Sequence, residues 1–398
     1  MKPTALFYCQ HSLGIGHLTR SFALVRALGR RLRVVLLNGG PLPAGVAVPE
    51  NVDIIHLPPL GVDAQQRLVS RDAGLPLAEA QARRRALILE AFHAWRPALV
   101  LIELFPFGRK KFAGELLPLL RAAKASVSRP TVACSLRDIL VSARDDQQRH
   151  DERARRLAQR YFDLVLVHSD PAFARLEESF RPARPLRVPV HYTGFVVPAR
   201  EASRTERQRH VLVSAGGGIV GYPLLAAALE AQRLLWPRHA LPFRLVAGPF
   251  LPEPDWRALC ESARGREGVE LVRHVPDLAL EMRRAAASVS QCGYNSALDI
   301  VVAGVPALVV PYAEAGENEQ TERAAKLAAL GALRHLPPAE LTAQRLAAEI
   351  VALMSFTPRP AAIDLDGAER SAQLLAEATA DTVSKAAASG RAVSRVAA

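Results

Sequence analysis

The residues best suited to chemistry lie in short loops, each following an apolar run. The first loop reads His11-Ser12-Leu13-Gly14-Ile15-Gly16-His17. Glycines at 14 and 16 permit a tight turn and close backbone approach, and a helix starting there aims amide donors at a bound anion. His17, at the junction, has an ordinary pKa near neutrality and suits the removal of a proton from an attacking hydroxyl. A tight turn without chemistry fits the same residues. No third glycine completes a dinucleotide fingerprint.

The second loop, residues 214–221, reads Ser-Ala-Gly-Gly-Gly-Ile-Val-Gly. Gly216, Gly217 and Gly218 offer backbone donors to a diphosphate without a lysine. The G-x-x-x-x-G-K-S/T pattern of phosphate-loop NTPases does not occur. A third constellation runs from Gln291 through Asn295, Ser296 and Asp299 to Ala303-Gly304-Val305-Pro306, and then to Glu319 and Gln320. Asp299, expected near the first turn of a helix, suits sugar hydroxyls, although an ordinary helix N-terminal charge reads the same way. Glu319 and Gln320, expected just ahead of an apolar helix, can both hydrogen-bond a polyol.

Besides His17, a general base is sought in Asp138, which follows an apolar run, and in Glu103. Arg137, Arg109, Lys110 and Lys111 are candidates for an anionic acceptor, with a solvated basic face as the plainer reading. Phe105 and Phe107 either line an acceptor groove or pack the core. No acidic pair is placed to hold a metal, and Asp145-Asp146 reads as solvated surface within a charged helical stretch, so neither a metal nor a cofactor is expected.

These loops need a scaffold, and the apolar runs describe one. Strands are expected at Thr4–Cys9, Arg33–Leu37, Leu99–Ile102, Thr131–Cys134 and Leu164–Val167, with helices between them such as Leu18–Leu28, Leu77–Trp95 and Asp145–Tyr161. The pattern weakens near residues 182–209, then restarts with strands at His210–Ser214, Phe243–Ala247, Val269–Val272, Ala287–Val289 and Ala307–Val310, and helices at Pro223–Leu234 and Glu319–Leu330. Near-continuous aliphatic strands alternating with helices fit parallel sheets covered on both faces. The fold class is therefore α/β, with two Rossmann-like domains whose parallel sheets face an interdomain cleft. Expected boundaries are 1–195, a linker at 196–209, 210–360, and a helical segment with a frayed tail at 361–398.

Composition agrees. At 398 residues with 49% hydrophobic and 23% charged residues, the chain exceeds what one core comfortably serves, and it is neither a disulfide scaffold nor a disordered chain. The net charge of +12 comes almost wholly from arginine and favours an anionic ligand or surface without choosing one. Aromatic content of 6% offers no interleaved stacking face for nucleic acid. Four dispersed cysteines form no C-x-x-C, no apolar run reaches 18 residues, and the first residues look like a buried strand. A cytoplasmic protein is expected, with any membrane contact peripheral at the inner face of the plasma membrane.

The order of these loops resembles the two-domain GT-B glycosyltransferases, in particular the MurG-like (family 28) branch, over roughly residues 4–375. The resemblance implies an inverting hexosyltransferase that moves sugar from a UDP-sugar or related nucleotide-sugar to an acceptor hydroxyl, lipid-linked or glycan, in cell-envelope synthesis. It implies acceptor binding by the first domain and donor binding by the second. Gly14, Gly16 and His17 match the first glycine-rich loop, and Gly216 to Gly218 the second, near the donor phosphates. Asn295 and Ser296 fall where the diphosphate is approached, Asp299 replaces a ribose-binding glutamate, Glu319 and Gln320 match a hexose-binding pair, and Val275 sits where the base meets backbone. Ser135-Leu136-Arg137-Asp138 replaces the branch's His-Glu-x-Asn stretch, which implies a different acceptor. The other readings are a GT-B sugar-nucleotide epimerase and a non-catalytic nucleotide-sugar-binding protein.

Overall fold

A computed structural model describes residues 2–11, 16–42, 48–63, 67–198, 206–313 and 317–396. The first lobe is a parallel sheet of β1 (Thr4–Cys9), β2 (Arg33–Asn38), β3 (Val52–His56), β6 (Leu99–Glu103), β7 (Thr131–Arg137), β8 (Leu164–His168) and β9 (Val190–Tyr192), in the order β3-β2-β1-β6-β7-β8-β9. A small antiparallel hairpin, β4 (Leu60–Val62) with β5 (Leu68–Ser70), stands apart from it. Its helices are α1 (Gly16–Gly29), α2 (Leu77–Trp95), α3 (Ala113–Ala125), α4 (Gln147–Tyr161) and the single turn α5 (Leu176–Ser179).

The sheet is apolar on both faces because its strands are. Along β1, Leu6 and Tyr8 enter a core with α2 and α3, whereas Ala5, Phe7 and Cys9 enter a separate core with α1. Side chains alternate across a strand, so one continuous apolar run supplies both layers.

The second lobe repeats the plan with β10 (Gln208–Ser214), β11 (Phe243–Val246), β12 (Val269–Val272), β13 (Ala285–Ser290), β14 (Ala307–Val309) and β15 (Arg334–His335), parallel in the order β12-β11-β10-β13-β14-β15. Around it lie α6 (Tyr222–His239), α7 (Glu253–Ala263), α8 (Leu278–Arg284), α9 (Tyr294–Ala303), α10 (Glu319–Ala329) and α11 (Ala343–Leu353). The last helix, α12 (Gly367–Val396), returns to the first lobe. Its Ala372 and Leu375 pack in the core that holds Ala5 and Phe7, and Thr382 Oγ1 lies 2.8 Å from Thr131 Oγ1 at the start of β7.

Both sheets reverse strand order beside their first strand, β1 next to β6 and β10 next to β13. In open α/β sheets such switch points form the crevice at the carboxyl ends of the strands. The two Rossmann-like lobes and the cleft between them make a GT-B fold. Two placements differ from expectation. Asp145 and Asp146 lie in a turn, with Asp146 at the N-cap position of α4 instead of inside it. Asp299 sits beyond the first turn of α9, because that helix begins directly after Gly293. Glu319 and Gln320 open α10, where the expected helix begins. Among the described residues no helix is long and apolar enough to cross a membrane.

Candidate functional site

On the first lobe the site is made by the ends of β1, β6 and β7. His17 is the second residue of α1, and Glu103 is the last residue of β6, the strand paired to β1. Their side chains meet, with His17 Nδ1 2.6 Å from Glu103 Oε1. Arg20, one turn along α1 and almost fully buried, also donates to Glu103 Oε1. Burial raises the Glu103 pKa, but His17, Arg20 and Arg109 outweigh it and hold the carboxyl well below its usual range. Burial pushes His17 down to about 3 against the pull of Glu103, with Arg109 and Arg20 acting in the same sense as burial.

The imidazole is therefore neutral, and the anion beside Nδ1 fixes which nitrogen carries the proton. Nδ1–H donates to Glu103, leaving Nε2 as the basic nitrogen. Histidine side-chain exposure is 22%, against 0% for Glu103. The histidine can meet a substrate, while the carboxylate acts from behind it. Gly16 is described next to His17; Gly14 lies outside the described residues.

Asp138 is a different case. Both of its oxygens are taken by Arg323 of α10, at 2.7 and 2.8 Å, and the pair is buried. This corrects the expectation of a general base there, because the carboxylate is spent on a bidentate ion pair between lobes. Arg137 likewise does not face an open acceptor groove. Its Nη1 donates to Glu319 Oε1 across the cleft at 2.6 Å. Phe105 and Phe107 are each 1% exposed and belong to the core.

On the second lobe, the turn after β10 carries Gly216 and Gly218 with φ of 57° and 94°. A Cβ on Gly218 would stand 2.5 Å from the Ala247 carbonyl oxygen, so glycine alone lets this loop touch the one after β11. The Gly218 amide bonds Ala215 within the turn, which removes it from the donors expected for a diphosphate. Ser296 Oγ lies against Gly216. The start of α9, whose first amides have no partner within the helix, thus stands beside the Gly216 turn. Val275 follows β12 and is 6% exposed, and its neighbour His274 has a buried Nε2 with no partner.

Gln320 is already engaged, since its Oε1 accepts from the amides of Cys292 and Tyr312 and so ties α10 to the start of α9. The two halves of the site are held together by Asn295, whose Nδ2 donates to the Gly16 carbonyl at 3.1 Å. Tyr294 adds a second tie: its hydroxyl donates to the His168 carbonyl and accepts from the Val196 amide. Arg20 and Arg323 lie over its ring at 5.1 and 5.9 Å. Sequence reasoning missed Arg20, Tyr294 and Arg323. The spacing from His17 to Arg20 was the one local signal available, since residues three apart share a helix face.

Residues 217–378 match the model of the "Glycosyltransferase family 28 C-terminal domain". A UDP-N-acetylglucosamine--N-acetylmuramyl-(pentapeptide) pyrophosphoryl-undecaprenol N-acetylglucosamine transferase of Methylorubrum extorquens is 35% identical over 128 residues, which is 30% of this chain and 35% of that protein. The chain thus spans about a third of that relative's length. Among solved structures, a UDP-glucosyltransferase from Polygonum tinctorium superposes with a TM-score of 0.58 at 15% identity, covering 97% of both chains. MurG of Acinetobacter baumannii gives 0.52 at 16% identity, covering 96% of this chain and 95% of its own. At such identities these likenesses establish the fold, while the family match relates the second lobe to family 28.

Proposed function

We propose that this GT-B chain, related through its second lobe to the family 28 glycosyltransferases, transfers a hexosyl group from a nucleotide-sugar to an acceptor hydroxyl with inversion. The observation that carries this reading is the pairing of a neutral, partly exposed His17 with a buried Glu103 anion, across the Asn295–Gly16 tie from the second lobe's glycine loop. A base and a diphosphate cradle on opposite walls of one cleft are what the reaction needs.

His17 Nε2 takes the acceptor hydroxyl proton as that oxygen attacks the anomeric carbon. The bond from the anomeric carbon to the phosphate oxygen breaks, and the nucleoside diphosphate leaves with the electron pair. The imidazolium formed is stabilised by Glu103, and the charge on the leaving diphosphate by the Gly216–Gly217 turn and the first amides of α9. Asp299 is assigned to the ribose hydroxyls and the backbone at Val275 to the base. Glu319 and the amide nitrogen of Gln320 are assigned to the hexose, which requires the sugar to compete with Arg137 for Glu319. The acceptor enters from the first lobe, as a glycan or lipid-linked hydroxyl at the cytoplasmic side of the envelope.

The test is equilibrium binding of UDP-, GDP-, TDP- and ADP-sugars to the purified chain, followed by transfer with the donor that binds. Saturable binding of one nucleotide-sugar, with transfer lost in His17→Ala, supports the reading. Absence of saturable binding to a folded protein, or turnover of the donor into an epimer without any acceptor, overturns it.

A further inference from the structure

Arg20 stands where the two lobes touch. One turn along α1 from His17 and almost fully buried, it donates from Nη2 to Glu103 Oε1, the same oxygen that accepts from His17 Nδ1. The two donor nitrogens lie 3.2 Å apart because both converge on that one atom. On its other side the guanidinium carbon is 5.1 Å from the centre of the Tyr294 ring, and Tyr294 is the first residue of α9. The charge of Arg20 is felt at Glu103 and His17, and also at Tyr294 and at His168, the last residue of β8.

This position lets Arg20 decide which way the Glu103 carboxylate faces. Arg109 Nε is ion-paired to the other oxygen, Oε2, at 3.8 Å, so a cation flanks each side of the anion. A charge-assisted hydrogen bond outweighs the looser ion pair. Arg20 therefore keeps Oε1 turned toward His17, whereas a carboxylate turned to Arg109 would leave Nδ1–H without its acceptor. The Tyr294 ring fixes Arg20 in turn, since a desolvated cation over an aromatic face is held there. The ring itself is anchored: its hydroxyl is bonded to the His168 carbonyl and the Val196 amide, and Arg323 lies over it as well. Its neighbour Asn295 grips the Gly16 carbonyl, one residue before His17. The start of α9 thus meets the start of α1 at two points, and Tyr294 with Arg20 is the one that leads to the base.

We infer that Arg20 is a positioning residue for His17: it holds the Glu103 carboxylate in the orientation that keeps the imidazole proton on Nδ1, and the Tyr294 ring holds Arg20, so that docking of α9 on α1 aligns the base. This rests on the glycosyl-transfer reading and adds to it how the second lobe reaches the base of the first.

The full chain is labelled with ring-¹⁵N histidine, His17 is assigned by the signals lost in His17→Gln, and the ring nitrogen shifts are read at about pH 7.5, where the neutral imidazole reports which nitrogen carries the proton. Native His17 is expected to hold it on Nδ1. Arg20→Met should move the balance toward Nε2–H by roughly tenfold or more, the size of a lost hydrogen bond to a charged group. Arg20→Lys, which returns the cation without the planar fork, should recover part of that shift. Tyr294→Leu should move the balance as Arg20→Met does, while Tyr294→Phe, which keeps the ring and loses the hydroxyl, should leave His17 as in the native protein. Thermal unfolding shows which variants fold.

A native balance in Arg20→Met, in Arg20→Lys where the methionine variant does not fold, or in Tyr294→Leu overturns the inference. A shift in Tyr294→Phe as large as in Tyr294→Leu overturns it too, because the hydroxyl ties and not the ring would then carry the effect. Nucleotide-sugar binding is measured on the same samples. Binding alongside an unmoved His17 overturns the role of Arg20 and leaves the transfer reading standing. The expected shifts in a protein that binds no nucleotide-sugar overturn the transfer reading, and with it the base that Arg20 would position.

Discussion

Asp138 and Arg323, 185 positions apart in the chain, face each other across the two lobes in a fully buried bidentate pair at 2.7 and 2.8 Å. Removing one partner strands the other charge in an apolar setting, so Arg323→Ala is expected to destabilise the protein by about 3–5 kcal/mol. The double variant Asp138→Leu with Arg323→Met should lie close to the native unfolding midpoint, since the desolvation cost disappears with the attraction. Thermal unfolding of the three proteins checks this. An Arg323→Ala midpoint equal to the native one would show that the pair does not hold the lobes.

The dyad predicts a split between catalysis and binding. His17→Ala should lower the transfer rate by roughly 10²–10⁴-fold while donor affinity stays within about twofold, because the base touches acceptor and not nucleotide. Glu103→Gln should lose less rate, since Nε2 remains but its imidazolium is less stabilised. Equal losses of rate and donor affinity in His17→Ala would assign the residue to binding.

Acid should destabilise the fold well before the carboxylates titrate. His17 and His168 are both pushed down to about 3, first of all by burial, whereas in the unfolded chain each titrates near an ordinary value of about 6.5. Below about 6.5 the unfolded state binds more protons than the native state. Their stabilising contribution is therefore whole above that pH and is lost as pH falls toward 3, at about 1.4 kcal/mol per pH unit for each histidine. Denaturant midpoints should hold from pH 7.5 to about 6.5 and then fall toward pH 5, and a flat profile below 6.5 would contradict neutral burial of both rings. The transfer rate, corrected for unfolding, should show no inflection near 6.5.

Asp299 is the proposed ribose ligand, and hydrogen bonds to a charged acceptor contribute about 1.5–3 kcal/mol. Asp299→Ala should weaken nucleotide-sugar binding by roughly tenfold or more by that measure. Calorimetric titration with the donor found in the panel is the check. An unchanged dissociation constant removes Asp299 from the donor site.

Much of this protein is legible in its sequence because parallel sheets write themselves plainly. Runs such as Ala5–Cys9 and Leu99–Ile102 are apolar at every position, as burial on both faces demands, and Gly218 marks a backbone, φ 94°, where a side chain would strike the Ala247 carbonyl. Those local signals marked the central strands of both sheets and the two lobes, but not the edge strands β3, β9 and β15 or the β4–β5 hairpin. They also placed His17 correctly at the start of a helix.

Partnership was beyond their reach, because a hydrogen bond between residues 103 and 17, or an ion pair between 138 and 323, leaves no trace in local spacing. Glu103 and Asp138 read alike in the chain, each an acid at the end of an apolar strand. Only the tertiary structure decided that Glu103 backs a histidine while Asp138 is consumed by Arg323. The physical reason is the same in both cases. A carboxylate's role is set by which charges share its buried volume, and those charges are brought there by strands and helices distant in sequence.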